Sequence, residues 1–214
     1  MESTNDDDRV ESLLREQWAA LRSWLDRVDV RSFGDLHSVL PGWTVNELVA
    51  HLGYGLELLT GVQPAGPEVR PLRIGDYVAQ YRPAAPQIQQ STREVAAAMP
   101  DVLDGIDTLA QAAWTALAQW ETPVVMGLRG PLARGDYLVT RLLEVVVHAD
   151  DLHRSLPCAV GSPVLGEPRA MVGQALVDAY AARSGSARGL SNDSRWIRLA
   201  TGRAVSDDAH LPLL

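Results

Sequence analysis

The chain has 214 residues, 46% of them hydrophobic and 21% charged, which fits one large globular domain, or a domain with a small appendage, able to bury a real core. A net charge of −8 and a pI near 5.1 argue against a nucleic-acid or anionic-membrane partner, since phosphate binding is dominated by Lys and Arg. Its 19 basic residues are all arginine, as expected of a GC-rich, actinobacterium-like source, and a lone cysteine, Cys158, excludes an intramolecular disulfide and fits a reducing cytoplasm.

The acidic start MESTNDDDRV lacks the apolar run of a signal peptide, and no stretch of about 18 apolar residues is present to span a membrane. Val10, Leu13, Leu14, Trp18, Leu21 and Trp24 recur at three- and four-residue steps and predict a helix over 7–28. RSFGDLHSVLPGW reads as a connection. Thr44 then opens TVNE, a capping box with Glu47, and predicts a helix to about residue 60. Residues 61–73 read as a surface loop. A helical region from residue 74 to about 99 carries Pro83 and Pro86 as interruptions, and 101–120 is amphipathic. ETPVVMGLRGPLARGDY reads as a loop or small hairpin, and helices follow over about 135–156 and 169–183. GSARGLSNDS is a linker, and the tail from Arg195 is apolar at its start and end. The sum is a mainly α chain: an antiparallel four-helix bundle over 1–157 and a short C-terminal extension over 158–214.

The candidate chemistry lies in RLLEVVVHADDLHRSL. Glu144 and His148 stand one helical turn apart beside three valines, so they share a face that looks inward. Buried polar groups must be paired or bound to something. His51, in NELVAHLG, has leucines on the neighbouring faces. His37 falls in a loop, His210 in the tail, and His153 is expected to face solvent. Taken singly, each histidine also fits a satisfied core or surface residue, and Glu144 with His148 fits a surface i,i+4 pair. Taken together, one histidine from one helix and Glu-x-x-x-His from another compose the set of two imidazoles and one carboxylate found in catalytic zinc sites, with a fourth position open.

PGWTVNELVAHL resembles the Trp-Thr-Val-x-x-Leu-Val-x-His-Leu signature that opens the metal-binding domain of mycothiol-dependent maleylpyruvate isomerases. YLVTRLLEVVVHADDL resembles the second signature of that domain, Arg-x-x-Glu-x-x-x-His-x-x-Asp-Leu, in the right order about 90 residues on. The resemblance covers roughly residues 10–156 and implies a DinB-like bundle with His51, Glu144 and His148 as ligands of zinc or another divalent metal. It also implies mycothiol, a sugar-linked cysteine thiol, as cofactor or co-substrate. The C-terminal part is short beside the two-domain isomerases, so the resemblance speaks more for the metal and the thiol than for maleylpyruvate.

A thiolate is the nucleophile where a thiol has a pKa near 8.5, and metal coordination deprotonates it. Cys158 lies outside both signatures and reads as a loop or core residue, so the thiol must come from outside. The reaction expected is thiolate addition to a small electrophile, ending in isomerisation or S-transfer. The alternatives are a non-enzymatic zinc or thiol-binding module, with four protein ligands closing the site, and a hydrolase using Asp150 or Asp151 as general base. Asp151, three residues after His148, is expected either to orient that imidazole or to face solvent. Trp43 is expected to pack at the helix entrance. The resemblance also implies an active C-terminal arginine: Arg203 in ATGR, with Arg198 and Arg195 as alternatives, suited to grip a substrate carboxylate.

Overall fold

The computed structural model describes residues 2–157, 160–186 and 193–214; Cys158 and part of the predicted linker lie outside them. The chain is mainly α, as expected. Helix α1 (Glu2–Arg27) starts earlier than the apolar period indicates, because the sequence before Val10 is polar and acidic and offers no apolar residue to extend the period. A 3-10 turn (Val30–Phe33) leads to α2 (Val45–Glu57). There the capping box is complete: Glu47 N–H donates to Thr44 Oγ1 at 3.1 Å and Thr44 N–H to Glu47 Oε2 at 2.8 Å.

Strand β1 (Gln63–Pro64) corrects the reading of 61–73 as loop throughout; two residues are too few to carry an alternation. The following helical region divides into α3 (Ile74–Val78) and α4 (Tyr81–Ala98), before the prolines rather than at them. Pro83 occupies the first turn of α4, where a missing N–H costs no bond, while Pro86 lies inside. Helix α5 (Val102–Leu117) is capped by Asp101, which accepts from Asp104 N–H at 3.0 Å. The glycine-rich segment is a hairpin, β2 (Val124–Gly127) with β3 (Gly130–Ala133), and β1 pairs on its outer side. Then come α6 (Arg134–Ser155), α7 (Gly166–Ser184) and α8 (Ser194–Ala200).

Helices α1, α2, α5 and α6 form the DinB-like bundle. Their inward residues, such as Leu21, Leu48, Leu52, Ile106 and Leu142, are at most 2% exposed, and each such side chain contributes about 1.5–3 kcal/mol by burial. Helix α2 lies antiparallel to α6, since His51 meets Glu144 while Gly55 meets Arg141. Helix α1 lies antiparallel to α5, with Arg22 on Asp107 and Arg15 over Trp114. Helices α1 and α6 run parallel: Glu11 meets Arg134 and Trp24 meets His153. The long connection over 58–101 permits this, because it carries the chain back before α5 begins.

The C-terminal extension shares the core. Val172, Leu176, Trp196, Ile197 and Leu213 belong to the same buried cluster as the bundle. Buried Gln17 of α1 clasps the segment before α7, donating to Pro163 O and accepting from Leu165 N–H, both at 2.9 Å. Leu213 N–H donates to Ala200 O at 2.7 Å, which folds the tail back on α8.

Candidate metal centre

The capping box fixes the start of α2, and from that start His51 falls on the face turned to α6. On α6, Arg141, Glu144, His148 and Asp151 stand at i, i+3, i+7 and i+10, one continuous stripe. Glu144 Oε2 lies 3.4 Å from His51 Nε2 and 3.2 Å from His148 Nε2. One ligand atom from each of the three residues lies within 4.8 Å of the others. Ligand atoms at about 2.0–2.2 Å from one tetrahedral zinc ion stand about 3.3–3.6 Å apart, close to the 3.4 and 3.2 Å separations of Glu144 from the two imidazoles. The side chains of His51, Glu144 and His148 are only 10, 15 and 10% exposed, so the cluster is largely withdrawn from water.

Both outer nitrogens are engaged. His51 Nδ1 is 3.0 Å from Thr92 Oγ1 of α4, and His148 Nδ1 is 3.1 Å from Asp151 Oδ2. An ionised carboxylate only accepts, so Nδ1 of His148 carries a proton and donates it there. Asp151 is fully buried beside the imidazole and not at the solvent surface, and Arg203 donates to its Oδ2 from Nε at 3.2 Å and Nη2 at 3.0 Å. Burial pushes His51 below its usual pKa. Burial acts the same way on His148, but hydrogen bonds to Asp151 and Glu144 outweigh it and raise the value. Burial also opposes the charge on Glu144, yet the two imidazoles hold its carboxyl well below the usual range. With Nδ1–H turned to Asp151, the Nε2 lone pair of His148 meets an acceptor oxygen at 3.2 Å. A proton on Nε2, which makes the ring an imidazolium, satisfies that contact, and so would a metal ion in the proton's place. With a second Nε2 converging on the same oxygen, the donor set suits a divalent ion.

The cluster borders a cavity of about 1020 Å³ between α2, α4, α6 and the β2–β3 turn. Trp43 is more than a packing residue at the helix entrance: it lines this cavity with its ring 5.2 Å from that of His51, edge to face. Of the C-terminal arginines, Arg203 lines the cavity, Arg198 grips Asp150 with contacts of 2.6 and 2.7 Å, and Arg195 is exposed. Asp150 and Asp151, the candidates for a hydrolase's general base, are thus both held by arginines. His153 is half-buried beside Trp24 rather than turned to solvent, and His210 packs on Tyr180. The sequence reading assigned no role to Thr92, Tyr81 or Arg141. Thr92 sits in no pattern; Arg141 had a signal, its place in the stripe.

A helical bundle of DinB-like type, with a His/Glu/His cluster placed so that it could hold a metal ion, is what the fold and donor set together define. Residues 14–153 match the family described as the mycothiol maleylpyruvate isomerase N-terminal domain. The chain belongs to that family, which is named for an enzyme. A crystal structure of the mycothiol-dependent maleylpyruvate isomerase shares the fold, with a TM-score of 0.56 at 20% identity over 82% of this chain and 69% of that one. A histidine-to-alanine mutant of that isomerase matches equally. No curated protein matches the sequence.

Proposed function

We propose that this chain is an enzyme that holds zinc, or another divalent metal, on His51, Glu144 and His148 and uses mycothiol to attack a small electrophile. The observation that carries the reading is the convergence of two Nε2 atoms and one carboxylate, within 4.8 Å of one another, at the wall of a cavity large enough for a thiol and a second substrate. Zinc in such a site supplies a Lewis-acidic position at which a thiol is held as thiolate near neutral pH.

The chain's own residues do the rest. Glu144 places one negative charge beside two neutral imidazoles, leaving a net positive site that favours a thiolate. Asp151 fixes the tautomer and orientation of His148, Arg203 fixes Asp151, and Thr92 steadies His51. Trp43, Tyr54, Leu143 and Val147 line the cavity and limit water around the nucleophile. Arg203 spends three N–H groups on Asp151 and Thr201 O, which leaves two of its five for a substrate carboxylate. Thiolate addition followed by loss of the thiol is isomerisation; retention of the thiol is S-transfer.

In this reading residues 1–157 carry the ligands and 158–214 deliver Arg203. No helix among the described residues is long and apolar enough to cross a membrane, and the composition supports a cytoplasmic place. Turnover of a panel of electrophiles with and without mycothiol tests the proposal. Turnover that requires the thiol is expected. Equal turnover without any thiol would favour the hydrolase, and no turnover with any thiol, beside a fourth protein ligand, would favour the non-enzymatic module.

A further inference from the structure

The C-terminal extension closes a second pocket, apart from the large cavity. It lies between α6, the segment before α7, the first turns of α7, and α8 with the residues that follow it. Its volume is about 20 Å³, room for a single small ion or one water. Val147 and Arg203 line both this pocket and the cavity, so the two share a wall. Val146, Val164 and Ile197 make part of the lining apolar. The rest is polar and unevenly charged: three guanidinium groups, of Arg169, Arg198 and Arg203, stand with a single carboxylate, Asp150, in a chain whose net charge is −8.

One of these charges is left over. Arg198 is engaged with Asp150 through Nε at 2.7 Å and Nη2 at 2.6 Å, and Arg203 with Asp151. Arg169 is half-buried, and among the described residues its side chain has no hydrogen bond, ion pair or ring contact. The acid beside it in α7, Glu167, is turned away to Arg9 of α1 at 2.6 Å. A guanidinium withdrawn from water without a partner is costly, so its place in this lining needs a reason. Unused donors stand around the same space. Arg198 keeps three of its five N–H groups. Ser162 Oγ accepts from Val164 N–H at 3.1 Å and has its own proton to donate, and the Ser194 hydroxyl has no partner among the described residues. A pocket so rich in donors and positive charge is the reverse of a cation site, and a water there would leave the charge of Arg169 unmatched.

We propose that this pocket binds a small inorganic anion of chloride's size, with Arg169 as its counter-charge and Arg203 as the shared wall through which it bears on the metal centre. The site stands apart from the proposed function; only its effect on the metal rests on that reading. Arg203 donates to Asp151, which accepts from His148, so the guanidinium is a positive charge close behind a ligand imidazole. It opposes a cation held at that imidazole, and an anion beside Arg203 offsets part of the opposition. Filling the pocket therefore tightens the metal.

Broadening of the chloride NMR line by the full chain tests the site, in chelator-treated protein with ionic strength held constant by gluconate. Saturable broadening is expected, reversed by bromide and not by sulfate, which is too large for the pocket. Arg169→Gln is expected to lose about tenfold or more of the chloride affinity, the scale of one hydrogen bond to a charged group, with its melting temperature in gluconate unchanged. Arg169→Lys keeps the charge and is expected to lose less. No saturable broadening, or an affinity unchanged in folded Arg169→Gln, would overturn the site. Competition for zinc with a chromogenic chelator then reads the link to the metal. Replacing gluconate by chloride is expected to raise zinc affinity about threefold in wild type, a modest Coulombic gain, and to leave Arg169→Gln unchanged. An equal rise in both proteins would put the chloride on the metal itself and overturn the link. Failure to bind zinc at all would remove the proposed function and leave the anion site standing on the broadening.

Discussion

At the scale of single residues, the chain Arg203–Asp151–His148 explains why a buried carboxylate is tolerated beside the ligands. Asp151 is ionised because its hydrogen bonds to His148 and Arg203 outweigh the burial that opposes its charge. Asp151→Asn is expected to lower zinc affinity about 10- to 100-fold, the usual effect of losing such an outer partner; competition with a chromogenic chelator measures it. Glu144→Gln is expected to weaken the metal further, since a neutral amide is a poor zinc ligand. Arg203→Ala is expected to keep its zinc at saturating metal. If Arg203 also holds a substrate carboxylate, the variant loses about 1.5–3 kcal/mol of kcat/KM, the range for a hydrogen bond to a charged group. Unchanged kcat/KM in Arg203→Ala would confine that arginine to positioning Asp151.

At the scale of elements, two glycines of α2 have opposite surroundings and make opposite claims on the helix. A Cβ at Gly53 would stand 2.7 Å from Ile106 Cγ2 and 3.0 Å from its Cα, so α2 and α5 approach closely there because the position is glycine. Gly53→Ala is expected to destabilise the protein by about 1–3 kcal/mol through overpacking, less what helix propensity returns. Gly55→Ala meets open space and is expected to stabilise it by about 0.5–1 kcal/mol. Urea unfolding distinguishes the signs; a stabilised Gly53→Ala would contradict the close approach. Asp101, which caps α5 and pairs with Arg31 at 2.6 and 2.8 Å, has its carboxyl held well below the usual range by that guanidinium. A depressed acid contributes stability above its unfolded value of 3.8, and the contribution is lost as pH falls through the folded value. The melting temperatures of wild type and Asp101→Asn should therefore differ near neutral pH, and the gap should narrow as the pH falls below 3.8.

Across the whole molecule, the long elements were readable because their periods reach many residues. Residues such as Leu14, Leu21 and Leu25, or Leu138, Leu142 and Val145, repeat a helical step that the fold then buries. Strand β1 was not readable, being two residues with a proline, nor was the break before Tyr81, which no proline or glycine marks. The parallel run of α1 and α6 was hidden too, because an apolar stripe fixes a face and not a direction. In the site, His51, Glu144 and His148 were visible through spacing and signature, and Asp151 through its i+3 place. Thr92 comes from a helix that no pattern ties to the others. The extension shares the bundle's core, with Trp196 buried and its Nε1 donating to Gly173 O at 3.2 Å. Trp196→Ala is expected to cost about 3–5 kcal/mol and to shift one unfolding transition, not a separate minor one.

The central claim is that one divalent ion is held by His51, Glu144 and His148, and metal content tests it most directly. Elemental analysis of wild type purified without chelator, beside the His51→Ala/His148→Ala double variant, is the measurement. About one metal per chain in the wild type and nearly none in a folded double variant is the result expected from a three-ligand site. Full occupancy in the double variant would contradict the assignment.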